Sequence, residues 1–383
     1  MGAMDGARIV GVYSTEQGEL TGRTHYDVQA EAFFGALANS AIDPREVDGL
    51  ANVRAETKSA AHAPAALWAE LLGHPLRYHD MPDVAGASHC ASIAHAAAAI
   101  TAGLCETVVV LSGGIRGTRA EIVQEMAYMH GEFDVSWGSI VPSWFAMLTR
   151  RYMHDFGVPH EAMAEVAVAA RMWAAKHPQA IMKEPITIED VLASRPIAEP
   201  LRLLDCCLVN NGAGAVVLTT AQRARSCPTT PVRVIGAGES YAMRAYTDLA
   251  PQVAGSGARL SASQALSMAG MRAEQMDVLG IYDAYTSVAL MLLEDIGLGE
   301  RGDGPRIVAN GALRPGGRIA MNTHGGSLAW GHALAGLGHA IEVIRQLQGA
   351  AGDRQLPDAR VGLSQTMGGP LSLHSTVVLA RDQ

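Results

Sequence analysis

Pro200–Thr219 reads PLRLLDCCLVNNGAGAVVLT, and its second half bears most directly on the fold. Ala213–Thr219 (AGAVVLT) is a small, β-branched run that resumes a sheet begun earlier in the chain. Working toward the N-terminus, Thr107–Ser112 (TVVVLS) reads as a buried strand, and Arg8–Ser14 (RIVGVYS) as another. Val47–Val53 reads as a short strand after the turn Ile42-Asp43-Pro44-Arg45. Tyr26–Ala41 carries apolar residues at helical spacing, and His89–Gly103 is a helix of small residues. This alternation predicts an α/β domain with a mainly parallel or mixed sheet.

From about Gly117 to Pro200 the rhythm breaks. The segment is rich in Met, Trp, His and Pro, with a Met-rich stretch at Met126–Met129 and helical stretches at Trp144–Phe156 and Glu161–Lys176. It reads as a loop domain inserted over the site. Beyond about Val232 the first half recurs. Ala262–Ala269 is helical, Gly270–Asp277 forms a turn, and Val278–Tyr282 is a strand. Ala41–Asp48 followed by Gly49–Val53 has the same order of small, apolar, turn and acidic residues. A duplicated α/β half is the simplest account, with residues 1–231 (insertion at about 117–200) as one half and 232–383 as the other.

The composition narrows the functional classes. The chain has 383 residues, 49% of them hydrophobic and 17% charged, with a formal net charge of −9. That suits a packed globular protein and argues against a nucleic-acid binder, since no basic run stands out. The odd cysteine count, Cys90, Cys105, Cys206, Cys207 and Cys227, predicts no disulfide framework, and the lack of a C-x-x-C pair predicts no structural zinc. The N-terminus has no secretory pattern and no apolar run reaches membrane-spanning length. A cytoplasmic setting is expected.

Four segments rich in glycine and small residues carry the chemistry: Gly86-Ala87-Ser88-His89-Cys90-Ala91-Ser92, Tyr282-Asp283-Ala284-Tyr285-Thr286, Asn322-Thr323-His324-Gly325-Gly326-Ser327-Leu328-Ala329-Trp330-Gly331-His332, and Thr366-Met367-Gly368-Gly369-Pro370-Leu371-Ser372. The third is expected to open a helix ending at Gly349. Together, and with Pro200–Thr219 as the most specific single signature, they resemble the thiolase superfamily over almost the whole chain. The resemblance is to the sterol-carrier-protein-type, or lipid-transfer, thiolases. It implies a duplicated five-layered αβαβα fold with an inserted loop domain, coenzyme A esters as substrates, and a homodimer.

The sequence departs from the family where catalysis is decided. A thiolase places its nucleophilic Cys at the N-terminus of the helix matching Ser88–Gly103, where the helix dipole lowers the thiol pKa. The family's spacing from Gly103 and Ile100 puts that position at Gly86. Either the nucleophile is lost, or the alignment shifts and Cys90 serves. The family's Asn-Glu-Ala-Phe or His-Asp-Cys-Phe motif reads Tyr282-Asp283-Ala284-Tyr285 here, so a phenol takes the place of an Asn or His. Gly-His-Pro becomes Gly331-His332-Ala333, retaining the histidine, and His339 is expected to pack. The basic Cys of Cys-x-Gly is absent from Ser364–Gly369. The triad His324, His332, His339 lacks metal-ligand spacing. Gly236-Ala237-Gly238 hints at a dinucleotide loop but lacks the third glycine. Cys206 and Cys207 are expected in the core.

A retro-aldol step on a β-hydroxyacyl-CoA needs no thiolate. It needs a base for the hydroxyl proton and donors for the thioester enolate. The same losses occur in the thiolase-fold steroid side-chain aldolases, which work with a small OB-fold (zinc-ribbon) partner. The expected catalytic residues are therefore Tyr282 or Tyr285 as acid/base and Asp283, with His332 and backbone N–H groups holding the thioester oxygen. Gly86, Ala87, Ser88, His324, Gly325, Gly326, Gly368 and Gly369 are expected to line the substrate. Coenzyme A enters as part of the substrate, with no tightly bound cofactor expected. Two alternatives stand beside this: acyl transfer through Cys90, and a non-catalytic subunit that binds lipid or acyl-CoA.

Overall fold

The computed structural model describes residues 4–52, 64–115, 140–241 and 253–382. Strand β1 (Ala7–Ser14) leads to helix α1 (His25–Ser40), β2 (Gly49–Asn52), the edge strand β3 (Tyr78–Asp80), α2 (Ser88–Thr101) and β4 (Thr107–Gly114). Helices α3 (Val141–Phe156) and α4 (His160–Ala174) follow before β5 (Gly212–Thr220). The second set is β6 (Val232–Tyr241), α5 (Ala258–Ala269), β7 (Val278–Ile281), α6 (Thr286–Leu293), α7 (Gly336–Gln348), β8 (Val361–Gly368) and β9 (Leu373–Arg381).

The strand order is β3-β2-β4-β5-β1-β6-β9-β8-β7. It mirrors itself about the β1–β6 junction, where Ile9 lies opposite Val232. On one side β2 runs parallel to β4, which is antiparallel to β5, which is antiparallel to β1. On the other, β7 runs parallel to β8, which is antiparallel to β9, which is antiparallel to β6. The repeat extends to the turns. Helix α1 ends at Ala41 and α5 at Gly270, both left-handed, and each is followed by a 3₁₀ turn, Pro44–Glu46 and Ala273–Gln275. Each half thus builds helix, left-handed cap, 3₁₀ turn and strand from the pattern legible in the sequence.

The layers follow from which faces are apolar. α1 packs on β1, β4 and β5, and α5 on β6 and β9, each covering one half-sheet from outside. α2 and α7 touch strands of both halves and form the middle layer. A helix apolar all round must be buried, and α2, with Ala91, Ile93, Ala96, Ala97 and Ile100 buried, meets that rule. Its small side chains let the two half-sheets approach. The result is αβαβα.

One expectation needs correcting, and the Gly236–Gly238 motif finds its explanation. The third motif does not open one long helix. Gly326–Ala329 makes a single turn, and the chain breaks at Gly331 (φ 156°) and Ala335 (φ 40°) before α7 begins. The break frees His332 from helical geometry. Gly236-Ala237-Gly238 is no phosphate loop. It lies inside β6, where a Cβ on Gly236 or Gly238 would strike the carbonyl oxygens of Ala265 and Ser261 in α5. The glycines bring helix against strand. The inserted segment does contain the expected helices α3 and α4, whereas Met126–Met129 lies outside the described residues.

Candidate active site

The four sequence segments, distant along the chain, meet at the N-terminal ends of α2 and α7. Gly86 sits just before α2, against β8: a Cβ there would lie 2.2 Å from the Met367 carbonyl oxygen and 3.4 Å from Cε2 of Tyr282. Gly368 makes the reciprocal approach, 2.4 Å from the Val84 oxygen by the same construction. The Ala87 carbonyl accepts from Thr366 Oγ1 at 3.3 Å and from Ser375. Ser88 Oγ accepts from Val84 N–H at 3.1 Å, so its hydroxyl closes the turn. His89 bridges the Gly86 carbonyl (2.7 Å) and Ser112 Oγ (3.0 Å), and burial holds its ring down to about 4, so it stays neutral.

Position 86, which family spacing equates with the nucleophile, thus has no room for a side chain. Cys90 does not replace it. Its thiol is wholly buried and donates to the Ser364 carbonyl at 3.4 Å, and burial pushes it up to about 11. Cys90 lies in the first turn of α2, and there burial outweighs what the helix dipole contributes to the thiol. Cys90 is packed in the core of this structure.

Tyr282 directly follows β7. Its hydroxyl meets His332 Nε2 at 2.9 Å, with the two rings edge to face at 5.7 Å. His332 is fixed from behind. Its backbone N–H donates to Asn210 Oδ1 at 2.7 Å, and Asn210 Nδ2 donates to Gln17 Oε1 at 3.0 Å. Its Nδ1 faces Cys207 Sγ at 3.7 Å. The ring nitrogen expected to hold a thioester oxygen is therefore directed at the Tyr282 phenol.

Asp283 has a different task from the expected one. It is fully buried, and its Oδ1 accepts from Ser327 N–H at 2.7 Å and His339 Nε2 at 2.8 Å. It ties the second motif to the third. Gly326 (φ 63°) must be glycine here, because a Cβ would fall 1.9 Å from Asp283 Oδ2. Gly325 likewise meets α4 at Ala174, which makes both glycines packing devices. His339 is thus a hydrogen-bond partner of Asp283, not mere packing. His324 lies buried beside the rings of Trp330 (5.1 Å) and His339 (5.2 Å), and burial holds it well below its usual range. It lies apart from the Tyr282–His332 pair. Tyr285 starts α6, stacks on Phe145 at 4.6 Å, and is pushed well above the phenol range by burial. Gly369 turns the chain beyond β8 with φ 60°.

Sequence reasoning passed over Asn210 and Gln17 and placed Cys206 and Cys207 in the core, where the structure leaves both half-buried. The available signal was the Pro200–Thr219 signature itself, whose least strand-like part carries Cys207 and Asn210. Cys207 is seated by its own N–H on the Ala284 carbonyl (2.9 Å) and by Leu208 N–H on Ser327 O (3.0 Å). Just before it, buried Asp205 joins His160 (2.8 Å), Thr286 (2.7 Å) and the Arg202 N–H (2.9 Å). Cys207 also lines a cleft of about 300 Å³ with Ile181, Met182, Leu204, Leu208 and Leu328. Among the described residues Arg171 is the one charged residue on that lining. Among the described residues no cluster of three or more His, Cys, Asp or Glu could hold a metal ion, and no helix is long and apolar enough to cross a membrane.

The sequence matches the thiolase N-terminal domain over residues 7–222 and the thiolase C-terminal domain-like family over 238–381. The chain belongs to the thiolase family. Among its thiolase relatives is a steroid side-chain-cleaving aldolase of Thermomonospora curvata, 32% identical over 362 residues, covering 88% of this chain and 90% of that one. A 17-hydroxy-3-oxo-4-pregnene-20-carboxyl-CoA lyase of Mycobacterium tuberculosis is 34% identical over 363 residues, covering 90% and 92%. Of solved thiolase folds, an Ltp2–ChsH2(DUF35) aldolase superposes with TM-score 0.87 at 28% identity over the whole of both chains.

Proposed function

We propose that this thiolase-family protein is an acyl-CoA carbon–carbon lyase that cleaves a β-hydroxyacyl-CoA by retro-aldol chemistry. The observation that carries the reading is the Tyr282–His332 pair at 2.9 Å beside a nucleophile position with no space for a thiol. Acyl transfer to the enzyme needs a reactive sulfur facing the thioester, and Cys90 is buried and protonated. Retro-aldol cleavage needs a base for the β-hydroxyl. In the proposed step the hydroxyl proton passes to the Tyr282 oxygen while the Tyr282 proton passes to His332 Nε2. The Cα–Cβ bond breaks, the hydroxyl carbon becomes a ketone or aldehyde, and the electron pair enters the thioester enolate. The enolate carbon then recovers a proton from the same pair.

The enolate oxygen has a natural seat. The N-termini of α2 and α7 converge at Gly86, whose carbonyl oxygen lies 3.4 Å from where a Cβ of Gly336 would be, and neither helix has a side-chain cap. Two dipole ends there favour negative charge. Backbone N–H groups of the Gly86–Ser88 and Gly368–Gly369 loops supply donors in this reading, while Tyr285 borders the acid/base pair. The apolar cleft ending at Cys207 suits the apolar part of the substrate. The names of the aldolase and lyase relatives support a steroid side chain as the acyl group. The Ltp2–ChsH2(DUF35) likeness supports a small partner subunit of OB-fold type, and a homodimer and a cytoplasmic location belong to the same reading.

The test is turnover of a steroid β-hydroxyacyl-CoA by the protein with its co-expressed partner, reading the released ketone and the shortened acyl-CoA by mass spectrometry. Tyr282→Phe is expected to lower kcat by ~10²-fold or more with KM little changed. Full activity in that variant would remove Tyr282 from the mechanism.

A further inference from the structure

Neutral imidazole carries one ring proton, and the partner of one nitrogen sets the role of the other. In His332 that partner is Cys207, whose Sγ lies 3.7 Å from Nδ1 while Nε2 lies 2.9 Å from the Tyr282 hydroxyl. We propose that Cys207 is a positioning residue: its sulfur accepts the Nδ1–H of His332 and thereby keeps Nε2 bare to receive the Tyr282 proton. This rests on the Tyr282–His332 reading above and adds a residue to it.

Three observations support the assignment. First, one short segment holds both ends of the histidine, Asn210 taking its backbone N–H at 2.7 Å and Cys207 facing its ring. The imidazole therefore has little freedom to turn. Second, the segment is itself anchored by the Asp205 bonds to His160 and Thr286 and by the Cys207–Ala284 backbone bond, so the sulfur is placed by the fold and not by a ligand. Third, of the two possible proton arrangements, this one gives the phenol O–H, the better donor, to the imidazole nitrogen, the better acceptor. The opposite arrangement would turn the Tyr282 hydrogen away from His332 and leave the pair unable to take a proton from substrate.

A thiol in this place differs from the carboxylate that usually orients a catalytic histidine. Sulfur is a weak, uncharged acceptor, so it fixes the tautomer without strongly favouring imidazolium. Among the described residues, the titratable groups around the imidazole include Cys207 and Tyr282 in contact, then Cys206 and Tyr285 behind Cys207, and His339 with Asp283 beyond the Tyr282 ring at 6.1 Å. Cys207 is the group seen at Nδ1.

The experiment has two arms. In the first, the protein with ¹⁵N-labelled histidine is examined by NMR without substrate, His332→Gln identifying the resonance. The proposal expects the Nδ1–H tautomer in the wild type and a shift toward Nε2–H in Cys207→Ala. An Nε2–H tautomer in the wild type would overturn it. This arm needs no turnover, so it can fail or succeed whether or not the lyase reading holds. In the second, the pH dependence of kcat is compared in Cys207→Ala, Cys207→Ser and Cys207→Asp, with folding checked by circular dichroism. Alanine is expected to lower kcat by roughly tenfold, less than the ~10²–10⁴-fold an acid–base group itself contributes, and to move the acidic limb to lower pH. Aspartate should move that limb to higher pH, and serine, which can still accept, should recover most of the loss. A role in packing alone would change KM or stability and leave the limb in place in all three variants, which would overturn the proposal.

Discussion

A methyl group at position 86 would lie 2.2 Å from a backbone oxygen, and much of the chemistry turns on that contact. Gly86→Cys, which would reinstate the family's nucleophile, is expected to lower stability by about 1–3 kcal/mol through overpacking and to give no thiolysis, as measured by thermal unfolding and a thiolase assay. A stable, thiolytic variant would show that the loop yields readily. Cys90 offers the complementary test. With its thiol pushed up to about 11 by burial, it should resist alkylation at pH 8 in the folded protein, and Cys90→Ala should keep lyase activity. An acyl adduct on Cys90 by intact mass would restore acyl transfer as the function. At this scale the sequence was informative about identity and silent about contacts. It pointed to Tyr282 and His332 by motif, yet only coordinates show the two bonded to each other, and show Asp283 and His324 turned into the core.

Among the elements, β3, α2 and β6 are joined by one side chain. His95 on α2 reaches Asp80 on β3 at 2.7 Å and Glu239 on β6 at 2.9 Å. The two carboxylates raise it to about 10 from an ordinary 6.5. The folded value lies above the unfolded one, so this contribution is whole below pH 6.5 and is lost as pH rises through about 10. Solvent screens the pair, whose histidine is 39% exposed, so the effect should be modest. The melting temperature is expected to fall between those limits in the wild type, and more shallowly in His95→Gln. Equal slopes would show the tie to be inert. Element positions were largely legible, because α1, α2, β1, β4 and β5 follow hydrophobic period and turn residues. The break between Ala329 and Gly336 was not legible, since nothing local forbids a helix through Trp330. It is set by Asp283, Asn210 and the Cys207 loop pulling on either side.

For the whole molecule, buried histidines in the middle layer, the sheet and the inserted segment set the pH limits. His89 and His374 are held down to about 4, and His177 to about 3, each chiefly by burial. Their folded values lie below the unfolded 6.5, so the folded state refuses protons that the unfolded chain accepts. Stability from these groups is complete above pH 6.5 and declines as pH falls toward 4. Thermal unfolding followed from pH 7 to pH 4 should show a steady loss, and a constant melting temperature across that range would contradict the burial. The sequence alone determined the α/β class and the repeat of helix, turn and strand, because each rests on local patterns of residue type, and it left open whether the nucleophile is lost or Cys90 serves. Tertiary structure alone decided that Gly86 has no room, that the Cys90 thiol is buried and that Cys207 stands behind His332. Those facts depend on which backbones meet between two half-sheets, a distance that no spacing along the chain encodes.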